Sequence, residues 1–434
     1  MEFLQQDQFL DNYPIRQFRL ENGLRTMLIH NPISPVAACM MMYTVGSASE
    51  LDHQRGLAHF FEHMMFRETE NLGDGDYDRI ISEIGGVGLN AFTSFDVTAY
   101  HVSIPSASLG RVIELEADRM ANLRLSEDLI ERERGAVLGE LKMYKDIPSE
   151  QVWDTLMASS YSEHPYQHPI IGYEEKVEGF GPEDFQKFYQ AHYAPNRAWL
   201  VIVGDFQEQE LLDQIEGAFG GIAPGEPLSE ASPPEGPWEE SKRIELEHEK
   251  ITSDSLTIAF RSPGITHPDM PALLLLSAIL SGGHSSPLHL AIVPTEIGTH
   301  ISANFLEPDL MMVSPGLFVI EAGLQQGVPA EKAESAVNDV LKKLHQEGIP
   351  QEEIDRGKNQ TRLSFYSGLR GNMSLARIIA GYNLVTGDPR FAEKVMANLA
   401  KVTQDELATV LEKYLIETKR LTLVQRPSKR QDTK

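Results

Sequence analysis

The sequence predicts two α+β domains of one topology, on the strength of three observations. Segments recur at a near-constant offset. Ser126-Glu127-Asp128-Leu129-Ile130-Glu131-Arg132 is echoed 224 residues on by Pro350-Gln351-Glu352-Glu353-Ile354-Asp355-Arg356. Asn196-Arg197-Ala198-Trp199-Leu200-Val201 is echoed at an offset of 223 by Lys419-Arg420-Leu421-Thr422-Leu423-Val424. Two echoes at nearly one spacing are the signature of a duplication. A Pro-rich acidic stretch, 224–241, lies near the middle and reads as a linker. Around it, apolar runs of strand length alternate with amphipathic segments of helical period. The domains therefore fall at 1–223 and 242–434.

Within the first half, Phe18-Arg19-Leu20 leads into a turn at Glu21-Asn22-Gly23, and Leu24 to His30 follows as a strand closed by Asn31-Pro32. Val36 to Val45 is more uniformly apolar, as expected of a strand covered on both faces. Gly46 to Glu50 makes a loop into a helix at Gly56 to Phe66. A second helix, Asp76 to Ile84, ends at Gly85-Gly86. Strands Gly88 to Ser94 and Thr98 to Ile104 come next, then an amphipathic helix from Leu109 to Asn122. Ser126 caps another helix, with Glu127 and Asp128 favourably placed in its first turn. Helix Pro182 to His192 and strand Ala198 to Gly204 close the half.

At 434 residues the chain can bury two or three ordinary cores, and 41% hydrophobic with 24% charged residues is a globular composition. It holds no apolar run of membrane-spanning length. Met1 to Asp7 has neither a basic nor an apolar signal region, so the expected compartment is cytoplasmic, or periplasmic if a leader has been removed. The formal net charge of −26 argues against nucleic-acid partners, whose phosphates it would repel. It reads as a solvated surface, with attraction of basic peptides as the functional alternative. The single cysteine, Cys39, sits in an apolar run and reads as a buried strand residue. A metal site here must therefore use histidines and carboxylates.

Such a site is offered by Gly56-Leu57-Ala58-His59-Phe60-Phe61-Glu62-His63-Met64-Met65-Phe66. His59 and His63, four apart, lie one helical turn above each other and can grip one ion. Glu62 stands close to the same face, and the apolar residues bury the rest. The order His-x-x-Glu-His inverts the common His-Glu-x-x-His zinc helix. Two histidines leave a catalytic metal short of a third ligand, which a carboxylate from another helix would supply. Glu133 and Glu140, seven apart on one helix face, are the candidates, and spacing alone does not choose between them.

The stretch 46–145 resembles the catalytic domain of the insulinase/pitrilysin family of zinc peptidases, which includes the mitochondrial processing peptidase. The matching residues are Gly56 to Met64, Gly85-Gly86 ahead of Leu89-Asn90-Ala91-Phe92-Thr93-Ser94, and Glu133-Arg134-Gly135-Ala136-Val137-Leu138-Gly139-Glu140. In that family the third ligand follows the second histidine by about 77 residues, the separation of His63 and Glu140. The resemblance thus implies one Zn²⁺ per chain on His59, His63 and Glu140. Glu62 becomes the general base on a zinc-bound water, and Glu133 an acid behind the ligands that orients one of them. Asn90, Ala91 and Phe92 become the edge strand along which a peptide substrate lies extended. The implied fold of each domain is a largely antiparallel sheet packed against helices, with no metal site in the second.

One departure bears on partners. Small members of the family usually offer, in a second domain, Gly-x-Ser-Ser-Arg-Leu followed by an Arg and, seven residues on, a Tyr. Here Gly283-His284-Ser285-Ser286-Pro287-Leu288 keeps the frame and loses the first Arg, and the expected pair falls on Val293 and His300. His284, alone, reads as structural. The resemblance implies a homologous subunit that supplies the missing pair, making a heterodimer, with a homodimer as the variant. Against the zinc endopeptidase stand a non-catalytic core or assembly subunit and a small-molecule hydrolase. The intact set of His59, Glu62, His63 and Glu140 argues against the assembly subunit, and the extended substrate strand against the small-molecule hydrolase.

Overall fold

The computed structural model describes residues 1–226, 233, 235–306 and 316–428. Part of the Pro-rich linker, residues 227–232 and 234, lies outside the described residues. The chain forms two compact units, neither continuous in sequence. The first comprises Met1–Met143, His168–Pro233 and Gly368–Glu393; the second comprises Tyr144–Gln167, Pro234–Ser367 and Lys394–Lys434.

The first unit is built on seven strands: β1 Glu2–Phe9, β2 Tyr13–Arg19, β3 Arg25–His30, β4 Val36–Tyr43, β5 Val87–Thr93, β6 Thr98–Pro105 and β7 Ala198–Gly204. Their order is β1-β2-β3-β7-β4-β6-β5, antiparallel throughout except for β3 with β7. The second unit carries β8 Lys242–His248, β9 Ser255–Arg261, β10 Gly298–Phe305, β11 Leu317–Leu324 and β12 Arg420–Pro427, in the order β10-β11-β9-β12-β8. Only β8 and β12 run parallel there. Read from the parallel pair outward, β3-β7-β4-β6-β5 and β8-β12-β9-β11-β10 are one topology, so the repeat seen in the sequence is a repeat of structure. β1 and β2 extend the first sheet. β1, largely polar and exposed, has no apolar run to announce it.

β4 shows why its sequence is so uniformly apolar. Successive side chains of a strand point to opposite faces. Ala37, Cys39, Met41 and Tyr43 enter a core shared with Leu57, Phe60, Phe61 and Met64 of the helix Leu57–Met64. Ala38, Met40 and Met42 are also fully buried, facing the other way. That second face is covered by the helix Asn372–Thr386, which packs on β4, β6 and β7 and buries Leu375, Ala376, Ile379 and Ala380. Polar contacts fix it in place. Asn31 donates to Asn372 at 2.7 Å, Asn372 to the Val36 carbonyl at 2.6 Å, and Gln17 to Asn383 at 3.4 Å. Among the described residues no helix is long and apolar enough to cross a membrane.

Candidate metal centre

The helix Leu57–Met64 is held at both its start and its apolar face. Gly56, at its N-cap, adopts φ +99°, and a Cβ there would lie 2.7 Å from the Ile171 carbonyl oxygen. The cap comes from six residues upstream. Glu50, buried, accepts the backbone N–H of Gly56 at 2.9 Å and of Ala58 at 2.6 Å. It thereby satisfies donors that a helix start leaves open and sets a carboxyl against the positive end of the helix. Phe60 packs edge-on against Phe185, and Phe61 lies 4.3 Å from the Tyr193 ring. Rotation of the helix would break these contacts, so the direction of its polar face is fixed.

That face carries His59 and His63, their rings 4.8 Å apart. From the helix Glu127–Lys145, Glu140 brings a carboxylate oxygen to 3.3 Å from His63 Nε2 and 3.7 Å from His59 Nε2. One ligand atom from each of the three lies within 4.8 Å of the others, and among the described residues this is the single such group. Glu133, two turns earlier, stands behind the centre. Its Oε1 is 2.9 Å from His63 Nδ1, and its Oε2 is 2.8 Å from Arg67 Nε. A hydrogen bond at Nδ1 leaves Nε2 to face Glu140. What helical spacing left open, the fold separates: one glutamate before the histidines, the other behind them.

The donor set fits a divalent ion of the zinc type: two imidazole nitrogens and one carboxylate, three protein ligands where a tetrahedral catalytic ion takes a fourth from water or substrate. Burial, then the neighbouring His63, pushes His59 down to about 4. Burial alone would lower His63 too, but its hydrogen bonds to Glu133 and Glu140 raise it to about 9. His59 Nδ1 is buried without a hydrogen-bond partner. Glu62, one residue before His63, accepts a 2.6 Å bond from the Thr93 hydroxyl on β5. Burial raises its carboxyl above the usual range, against the pull of that bond.

Asn90, Ala91 and Phe92 lie on β5, an edge strand of the seven-stranded sheet, paired with His101, Tyr100 and Ala99 of β6. Ala91 and Thr93 share the face of Glu62; Asn90 and Phe92 point to the opposite face. In the second unit, His284 is exposed, 3.4 Å from His289, and His300 is exposed on β10. Glu50, Arg67 and the Thr93–Glu62 bond escaped sequence reasoning. Arg67 lies past the end of the helix Leu57–Met64, where helical spacing does not place it, and nothing in its spacing marks Glu50 as a cap.

A two-unit α+β scaffold with a His-x-x-Glu-His helix and a distant glutamate defines a class, and comparison with known proteins identifies it. The family profile described as Insulinase (Peptidase family M16) matches residues 25–174, and that of the Peptidase M16 inactive domain matches 179–361. The chain belongs to this family. It is 28% identical over 417 residues to the zinc protease PqqE of Helicobacter pylori, across 94% of this chain and 92% of the relative. It is 25% identical to a probable mitochondrial-processing peptidase subunit beta of Schizosaccharomyces pombe, across 90% and 86%. A crystal structure of a protease from Helicobacter pylori superimposes with a TM-score of 0.88 at 26% identity, covering 95% of this chain and 99% of that one. These relatives support a peptidase in general terms.

Proposed function

We propose that the chain is a zinc-dependent metalloendopeptidase that hydrolyses peptide bonds in peptides or unfolded segments. The observation that carries this reading is the convergence of His59, His63 and Glu140 within 4.8 Å beside Glu62. These three residues would hold the ion, which when bound polarises a carbonyl and acidifies water. Glu62 takes the proton from the attacking water and returns it to the leaving amine. Its raised proton affinity suits both transfers. Thr93 holds the Glu62 carboxylate in one orientation through its 2.6 Å bond. Glu133 fixes the tautomer of His63, and Arg67 holds Glu133. The open backbone groups of β5 at Asn90, Ala91 and Phe92 receive the substrate by strand addition, which reads main chain before side chains.

The test is hydrolysis of an internally quenched peptide of about ten residues, with zinc quantified on the same sample. Glu62→Gln should keep its zinc and lose on the order of a thousandfold or more in kcat, at the level of a general base. A variant that cleaves as fast as the parent would overturn the assignment. The missing Arg and Tyr at Val293 and His300 motivate a companion proposal, a homologous subunit that supplies them. Full-rate cleavage by the purified chain alone would sink that one.

A further inference from the structure

We infer that Arg377 makes the substrate edge selective for an acidic side chain at one position of the bound peptide. The inference rests on the proposed peptidase reading for what lies along β5. Arg377 sits on the helix Asn372–Thr386, exposed, with its guanidinium carbon 5.0 Å from the centre of the Phe92 ring. That stacking fixes the planar group at the sheet edge and leaves its in-plane N–H donors open. Among the described residues Arg377 has no carboxylate partner, in a chain where acidic residues outnumber lysine and arginine by 64 to 38. Its charge is felt locally, because it lowers the affinity of His101 for a proton after burial has done so.

Strand geometry decides which substrate residue meets it. Phe92 and Thr93 are neighbours and point to opposite faces of the sheet, Thr93 towards Glu62 and Phe92 towards Arg377. A peptide added beside β5 places the residue opposite Phe92 on the Phe92 face, and its two neighbours on the Glu62 face. Only that one residue, and those two removed from it, share a face with the guanidinium. A carboxylate there can form the bidentate pair that arginine favours. At long range the net charge of −26 repels an acidic peptide, so the selection must be a contact effect that survives physiological salt, where charges beyond about 8 Å are screened.

The experiment uses fluorescein-labelled ten-residue peptides identical except for a single Glu or Lys, titrated by anisotropy onto the full chain carrying Glu62→Gln. The Glu peptide should bind about fivefold more tightly than the Lys peptide. Arg377→Gln should erase the difference and Arg377→Glu should reverse it. In cleavage by the parent chain, moving the Glu by one residue relative to the cut bond should lose the advantage. An order of binding unchanged by Arg377→Glu, or no binding by either peptide, overturns the inference. Selective binding without cleavage would leave this inference standing, and cleavage still absent after a homologous subunit is added would sink the peptidase reading. Unfolding curves of both Arg377 variants, expected to match the parent because the side chain is exposed, separate loss of selectivity from loss of fold.

Discussion

At the scale of the residue, the candidate centre is flanked by side chains outside its proposed ligand set. Glu133 holds His63 by Nδ1, and its other oxygen is occupied by Arg67. Replacing Glu133 with Gln should weaken zinc binding by about 10- to 100-fold, measured by competition with a chelator, and an unchanged affinity would remove Glu133 from the site. Glu50 offers a second test. Burial drives its carboxyl up to about 8, against the backbone N–H groups of Ala58 and Gly56. A folded value above the unfolded one near 4.5 means that the folded chain holds a proton the unfolded chain has released. The resulting stability is complete below pH 4.5 and is lost as the pH rises through 8. Glu50→Gln cannot titrate, so its Tm relative to the parent should climb between pH 5 and pH 8. Parallel curves for the two proteins would show that Glu50 titrates normally.

At the scale of the element, the helix Leu57–Met64 is positioned by close backbone approach as much as by its apolar face. Gly56 and Gly172 both have positive φ, and a Cβ on Gly172 would come within 2.4 Å of Gly56 Cα. Gly56→Ala should therefore cost about 2 kcal/mol or more in chemical denaturation, from left-handed strain plus the clash, and should reduce zinc retention with it. A stable variant that keeps its zinc would show that the loop relaxes freely. Much of this element was legible in the sequence. The His-x-x-Glu-His spacing, the flanking apolar residues, and the helices Leu109–Asn122 and Pro182–His192 all follow from local periodicity. What depends on distant chain was not legible. Spacing could not rank Glu133 and Glu140, because only packing decides which side of the histidines each one meets. The repeat shows the same limit. Sequence echo sets Arg132 against Arg356, yet Arg356 is bonded to Glu353 and to the Gly282 and Ile279 carbonyls. Its counterpart in role is Arg134, held by Glu131 and donating to the Val177 and Phe180 carbonyls. A match of letters was two residues out of register with the match of function.

At the scale of the whole molecule, each compact unit draws on both halves of the chain. In the first unit's sheet, Ala38, Met40 and Met42 lie buried on the face covered by the helix Asn372–Thr386. A fragment ending at residue 226 should accordingly expose that apolar face and aggregate, whereas fully native behaviour in gel filtration would show that the cover is dispensable. No reading of residues 1–223 could have supplied this cover, since it arrives from about 150 residues further on. The arrangement also sets a clock on the ribosome. At roughly 5–20 residues per second, synthesis from residue 226 to residue 393 takes on the order of ten to thirty seconds. Through that interval the nascent first sheet has its histidines and both glutamates but lacks its lid of leucine and isoleucine. The sheet behind the proposed hydrolytic centre is thus completed late, when its polypeptide is nearly finished.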